Sequence, residues 1–139
     1  MIYADKEAIQ MALKYYEKPV SKWNVRNLTD YMADEHRKRF NCDYAPFGSW
    51  QQERGLISQI FGTASKDGKY DKELVKEFID ECFASYRPTA QYPGTNFGFL
   101  WTYRQTEFAR LKKYYDERKF AEKEAAKPID DDITDWFKS

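Results

Sequence analysis

A chain of 139 residues is long enough to bury a core as one domain without disulfide or metal staples. Aromatics make up 18% of it and the formal net charge is +0, so the core is expected to rest on Phe, Tyr and Trp, and global steering toward nucleic acid is excluded. There is no bilayer-length apolar run, the start from Met1 to Glu7 is polar rather than signal-like, and Cys42 and Cys82 are too few for a disulfide scaffold, so a reduced cytoplasmic setting is expected.

Helical periodicity dominates. Ile9, Leu13 and Tyr16 predict a first helix over residues 4–16, with Asp5 as N-cap and Pro19 closing it. Leu28, Tyr31, Met32 and Phe40 share the stripe of a second helix, and Asn27 with Asp30 is its capping signal. Asn, Pro and Gly mark residues 41–48 as a loop. Ser49 and Gln52 form a capping box ahead of a short buried helix carrying Trp50, Leu56, Ile57, Ile60 and Phe61, which Gly62 is placed to end. Residues 63–70 read as a polar turn. Asp71 then caps an amphipathic helix with Leu74, Val75, Phe78, Ile79, Cys82, Phe83 and Tyr86 inward, and Pro88 follows its end.

A loop over residues 87–96 leads to a last helix, opened by Asn96 or Thr95 and expected to run to Lys127. Its apolar positions are Phe97, Leu100, Trp101, Phe108, Leu111 and Tyr115, and the stripe thins beyond Tyr115. No strand-like alternation of useful length occurs. The expected fold is all-α: a single domain of about five helices over residues 1–127, with a long C-terminal helix and an acidic aromatic tail over residues 128–139.

Residues that would support catalysis are sparse. His36 is the one histidine, lying in the run from Asp34 to Arg39 that reads as an exposed helix face, so a nucleophile–base pair lacks context. Cys42, Cys82 and His36 lack the spacing of a zinc site. Asp30 and Asp34 share a face with Arg26, Arg37 and Lys38 and read as ion-pair partners. Asp130, Asp131 and Asp132 lack the alternation of a calcium loop, and no glycine opens a phosphate-binding loop. No metal or cofactor is expected, and the chain reads as non-enzymatic.

Two features point to binding. Basic residues interleave with rings in two sets: Arg37, Lys38, Arg39, Phe40 and Tyr44, then Trp101, Tyr103, Arg104, Arg110, Lys112, Lys113, Tyr114 and Tyr115. Single-stranded nucleic acid is held by cations along its backbone and rings against its bases. An ordinary solvated helix over a ring-built core has the same composition. The second feature is a charge asymmetry. Residues 104–127 carry a net +3, and residues 128–139 a net −3. In the latter, Ile133, Trp136 and Phe137 accompany Asp130, Asp131 and Asp132. Ile129, Ile133 and Trp136 or Phe137 have the spacing of anchors that enter a groove, so the expectations for this segment are docking on a partner, folding back on the basic helix, or plain disorder, in that order.

A pattern over about residues 28–111 resembles a helical module of phage replication accessory proteins, the replisome-organiser and helicase-loader-like proteins of phages of low-GC bacteria. Its matching residues are Thr29, Asp30, Tyr31 and Met32; Arg39, Phe40, Asn41, Cys42, Asp43 and Tyr44; Trp50 with Glu53, Arg54, Gly55, Leu56 and Ile57; residues 73–80 with Phe83; Tyr92, Pro93 and Gly94; and Phe97, Gly98, Phe99 and Leu100. The resemblance implies an all-helical part acting in phage replication in the bacterial host cytoplasm. The chain lacks the ATPase core and winged helix of larger members, so a small accessory factor is the expectation. It would contact single-stranded or forked DNA, the replicative helicase, or both. The rival expectation is a phage-encoded inhibitor that binds a host protein without touching nucleic acid.

Overall fold

The computed structural model describes residues 9 and 12–127. The chain is all-α, and five α-helices are delimited among the described residues: α1 (Val25–Phe40), α2 (Trp50–Ile60), α3 (Lys72–Ser85), α4 (Phe97–Tyr103) and α5 (Gln105–Ala126). Two 3-10 turns, Tyr15–Glu17 and Val20–Lys22, precede α1. The tail over residues 128–139 lies outside the described residues, as do Asp130, Asp131, Asp132, Ile133, Trp136 and Phe137 with it.

Helices α1, α2 and α4 begin where a side chain meets the exposed N–H groups of the first turn. In α1 the cap is Asn24, three residues before the Asn27 that the sequence suggested. The Asn24 carboxamide accepts from the Asn27 N–H at 2.8 Å, and Asn27 returns the contact to the Asn24 N–H at 3.0 Å. Ser49 and Gln52 make the expected reciprocal pair at α2. Helix α1 stops at Asn41, which turns left-handed at φ 55°. Past α2, Gly62 at φ 99° reverses the chain, a conformation that strains any residue with a Cβ. The Lys72 ammonium donates to the carbonyls of Phe61 at 3.0 Å and Thr63 at 3.3 Å, tying that reversal to the start of α3.

Helix α3 is central. Leu74, Val75, Phe78, Ile79, Cys82 and Phe83 are all buried, and α1, α4 and α5 pack around them. Phe78, Trp101, Phe108 and Tyr70 form one ring cluster, with the Tyr70–Phe108 centroids 4.7 Å apart and those of Phe78 and Phe108 5.3 Å apart. The ring-built core expected from composition is therefore present. Cys42 and Cys82 are both free thiols, and burial pushes the Cys82 thiol up to about 12. Among the described residues no helix is long and apolar enough to cross a membrane.

The structure corrects several expectations. The first helix does not run to Tyr16: Ile9 and Ala12 are helical, and Tyr15–Glu17 is a separate turn. Ile9 and Tyr16 are exposed, while Tyr15 faces inward against Trp23 and Tyr31. Trp50 is exposed rather than buried. His36 is not on a solvated face but is 2% exposed. Asp71 stands at the N-cap position of α3 but makes no side-chain cap; its carboxylate accepts from the Tyr115 hydroxyl at 3.1 Å.

The expected last helix is two helices, broken at Arg104 (φ −118°, ψ 31°). No glycine or proline marks the break. The Gln105 side-chain amide donates to the Trp101 carbonyl at 2.5 Å, a bond that the backbone N–H of residue 105 would make in a straight helix. The Thr102 hydroxyl also donates back to the Gly98 carbonyl at 2.7 Å, a contact that bends helices.

Candidate nucleic-acid interface

Helix α4 is only seven residues long, too short to be stable alone, so its neighbours must hold it. The N–H groups of its first turn each find an acceptor. Asn96 accepts from Phe99 at 2.9 Å, the Tyr44 hydroxyl from Phe97 at 2.9 Å, and the Glu53 carboxylate from Gly98 at 3.0 Å. Tyr44 also donates its own proton to Glu53 at 2.9 Å. A buried carboxylate and a buried phenol thus seat α4 on α2. Glu53 is 2% exposed. Burial raises its carboxyl above the ordinary value, against the opposing pull of the hydrogen bonds it accepts. Burial, with the nearby Glu53 charge, likewise raises the Tyr44 phenol.

The loop ahead of α4 is held from α1. His36 Nδ1 faces the Cys42 carbonyl at 2.9 Å, and its Nε2 accepts from the Thr95 N–H at 3.2 Å. Together these bonds require the neutral Nδ1-protonated ring. Gly94 lies so close that a Cβ there would stand 2.1 Å from His36 Nε2.

Seated this way, α4 turns Phe99 and Tyr103 outward. They are one helical turn apart, with centroids 4.8 Å apart. Tyr103 is 65% exposed and Phe99 36%. They line an open groove of about 680 Å³ with Ser85, Tyr86, Arg87 and Arg104. The Tyr86 wall is fixed by its hydroxyl, which donates to the Tyr92 carbonyl at 2.8 Å, and by its ring contact with Phe40. Arg104 reaches Glu107 at 3.2 Å. Arg87 makes no ion pair among the described residues.

Of the residues expected to bind nucleic acid, the structure brings only Tyr103 and Arg104 together in this groove. Tyr44 is 8% exposed and hydrogen-bonded inside, so its ring is withdrawn from any base. Arg37, Lys38 and Arg39 close the last turn of α1, where positive charge complements the helix dipole. Arg37 pairs with Asp43 at 2.6 Å, while Lys38 and Arg39 both reach Glu35. Arg110, Lys112 and Lys113 follow along α5 rather than lining the groove. Arg110 pairs with Glu81 on α3 and Lys112 with Asp116 at 2.6 Å; Lys113 has no ion pair among the described residues.

Arg110 belongs to a wider seam. Glu73, Glu77 and Glu81 form a carboxylate row on α3, and Lys119, Arg118 and Arg110 meet it from α5. Much of the apparent basic helix is therefore spent on packing. Sequence reasoning missed Arg87, Phe99 and Glu53. The spacing of Phe99 and Tyr103, off the stripe of Phe97, Leu100 and Trp101, was a usable signal for the exposed rings. Among the described residues no cluster of three metal-ligating side chains occurs. The chain matches no family model, no curated protein and no solved structure.

Proposed function

We propose that this chain is a non-enzymatic phage accessory protein of DNA replication that holds single-stranded DNA in the Phe99–Tyr103 groove, alone or beside the replicative helicase. One observation carries the reading: two neighbouring rings, one well exposed, line one open groove with Arg87 and Arg104. Bases stack on such rings while cations track the phosphates. A duplex keeps its bases paired inside and offers the rings little. The phage assignment draws support from the resemblance over residues 28–111, because Tyr44, Glu53, Phe97 and Gly98 belong to its pattern and together seat α4.

The test is titration of fluorescent single-stranded DNA at low and raised salt. Tyr103→Ala should weaken binding by roughly 5- to 150-fold, the worth of one stacked base. Arg87→Glu with Arg104→Glu should remove the salt-sensitive part. Arg110→Glu with Lys112→Glu should cost less, since those cations already face carboxylates. Equal, negligible binding by parent and groove variants rejects the DNA reading.

The α3–α5 seam favours a second reading, the inhibitor of a host protein. Cations matched to Glu73, Glu77 and Glu81 leave less positive surface for phosphate. That reading expects no DNA binding at moderate salt and specific capture of a host protein, lost on Tyr103→Ala.

A further inference from the structure

We infer that the groove also receives the acidic aromatic segment over residues 130–137 of a second copy of this chain, so that the protein associates head to tail. The complementarity is specific. The segment presents Asp130, Asp131, Asp132 and Asp135 beside Trp136 and Phe137. The groove presents Arg87, unpaired among the described residues, and the exposed rings of Tyr103 and Phe99. Guanidinium–carboxylate pairs and ring–ring contacts satisfy both partners, and Trp is the best ring for a guanidinium to cover.

Chain geometry selects the second copy. The groove includes Arg104, the residue immediately before α5. Helix α5 then runs 22 residues away from it, about 33 Å at ~1.5 Å per residue. Trp136 follows Lys127 by nine residues, and their fully extended reach is about 30–32 Å. Return to the same molecule's groove leaves no slack even for a straight segment. A second copy's segment has no such limit. The contact is heterologous, joining one patch to a different one. It also opposes DNA, because phosphates and bases would use the same guanidinium groups and rings. That competition, unlike the association itself, rests on the DNA reading.

The experiment is sedimentation velocity of the full chain across a concentration range. Association should rise with concentration and weaken with salt. An excess of a peptide of residues 128–139 should return the parent chain to monomer without any substitution. Arg87→Glu with Tyr103→Ala should abolish association, as should Trp136→Ala with Phe137→Ala. Mixing the two variants should restore a one-to-one pair, since one keeps the groove and the other the segment. A parent that stays monomeric, an unresponsive peptide titration, or association that survives both double variants overturns the inference. A separate titration with fluorescent single-stranded DNA should show the Trp136→Ala, Phe137→Ala chain binding tighter, by about tenfold for one removed competing contact. Association without DNA binding in any form would reject the DNA reading and leave the docking intact; DNA binding by a strictly monomeric chain would do the reverse.

Discussion

Glu53 shows how one residue can organise the exposed rings without touching a ligand. Its carboxylate sits in the core, holding the Tyr44 hydroxyl and the Gly98 N–H. Glu53→Ala strands both partners and leaves a void. Each buried unsatisfied group costs about 1–3 kcal/mol, so chemical denaturation should show a loss of about 3 kcal/mol or more. Glu53→Gln keeps an acceptor and should lose less. The pH dependence has a definite sign. Burial raises the folded-state carboxyl above its ordinary 4.5, so the folded state holds that proton more tightly than the unfolded chain. The associated stability is fully present below 4.5 and is lost as pH rises through the raised value. Mild acidification should therefore stabilise the parent relative to Glu53→Gln, read as a difference in denaturation midpoint. None of this was legible in the sequence, where Glu53 is one charged residue among many. His36 misled for a related reason: its neighbours Glu35, Arg37 and Lys38 are exposed or half-exposed, and only its spacing from Leu28 and Met32, at i+8 and i+4, places it inward.

Elements were more legible than their ends. Trp50 apart, the stripes of α1, α2 and α3 lie where periodicity put them, because burial of an apolar face fixes a helix more strongly than propensity does. The break at Arg104 escaped because side-chain amide and hydroxyl bonds near Trp101 replace the usual glycine or proline signal. The α3–α5 seam gives an element-scale prediction. Glu77→Lys with Glu81→Lys sets like charges against Arg118 and Arg110. Each exposed pair is worth only about 0–1 kcal/mol, so global stability should fall little. Amides beyond Tyr115 should nevertheless exchange faster, since Tyr115 is the last buried residue of α5. Lys72→Met removes the ammonium from two carbonyls after α2. It should cost about 2 kcal/mol in thermal or chemical unfolding, in the range for charged hydrogen bonds.

At the scale of the whole molecule, many charged groups among the described residues are matched within the fold. The carboxylates of α3 face the cations of α5, and the end of α1 balances its own arginines. DNA bound in the groove would meet two guanidinium groups, so the slope of log affinity against log salt should be shallow, about −1.4 for two phosphates on a single strand. A steep slope would require cations outside the groove. The single core centred on α3 implies one cooperative transition. Phe78→Ala, fully buried against Trp101 and Phe108, should lower stability by about 3–5 kcal/mol. All-α class and ring-rich core were readable from composition and period, whereas the groove depends on how two separated segments, residues 85–87 and 99–104, converge at the end of α3.

The indole of Trp23 clasps the peptide carbonyls of Tyr15 and Lys18 at 3.0 and 3.1 Å while remaining 3% exposed. Peeling away the leading arm would therefore wet an otherwise dry fluorophore. A red shift in emission at denaturant concentrations that leave the far-ultraviolet dichroism unchanged would time that detachment ahead of global melting, and replacing Trp23 with Phe would silence it.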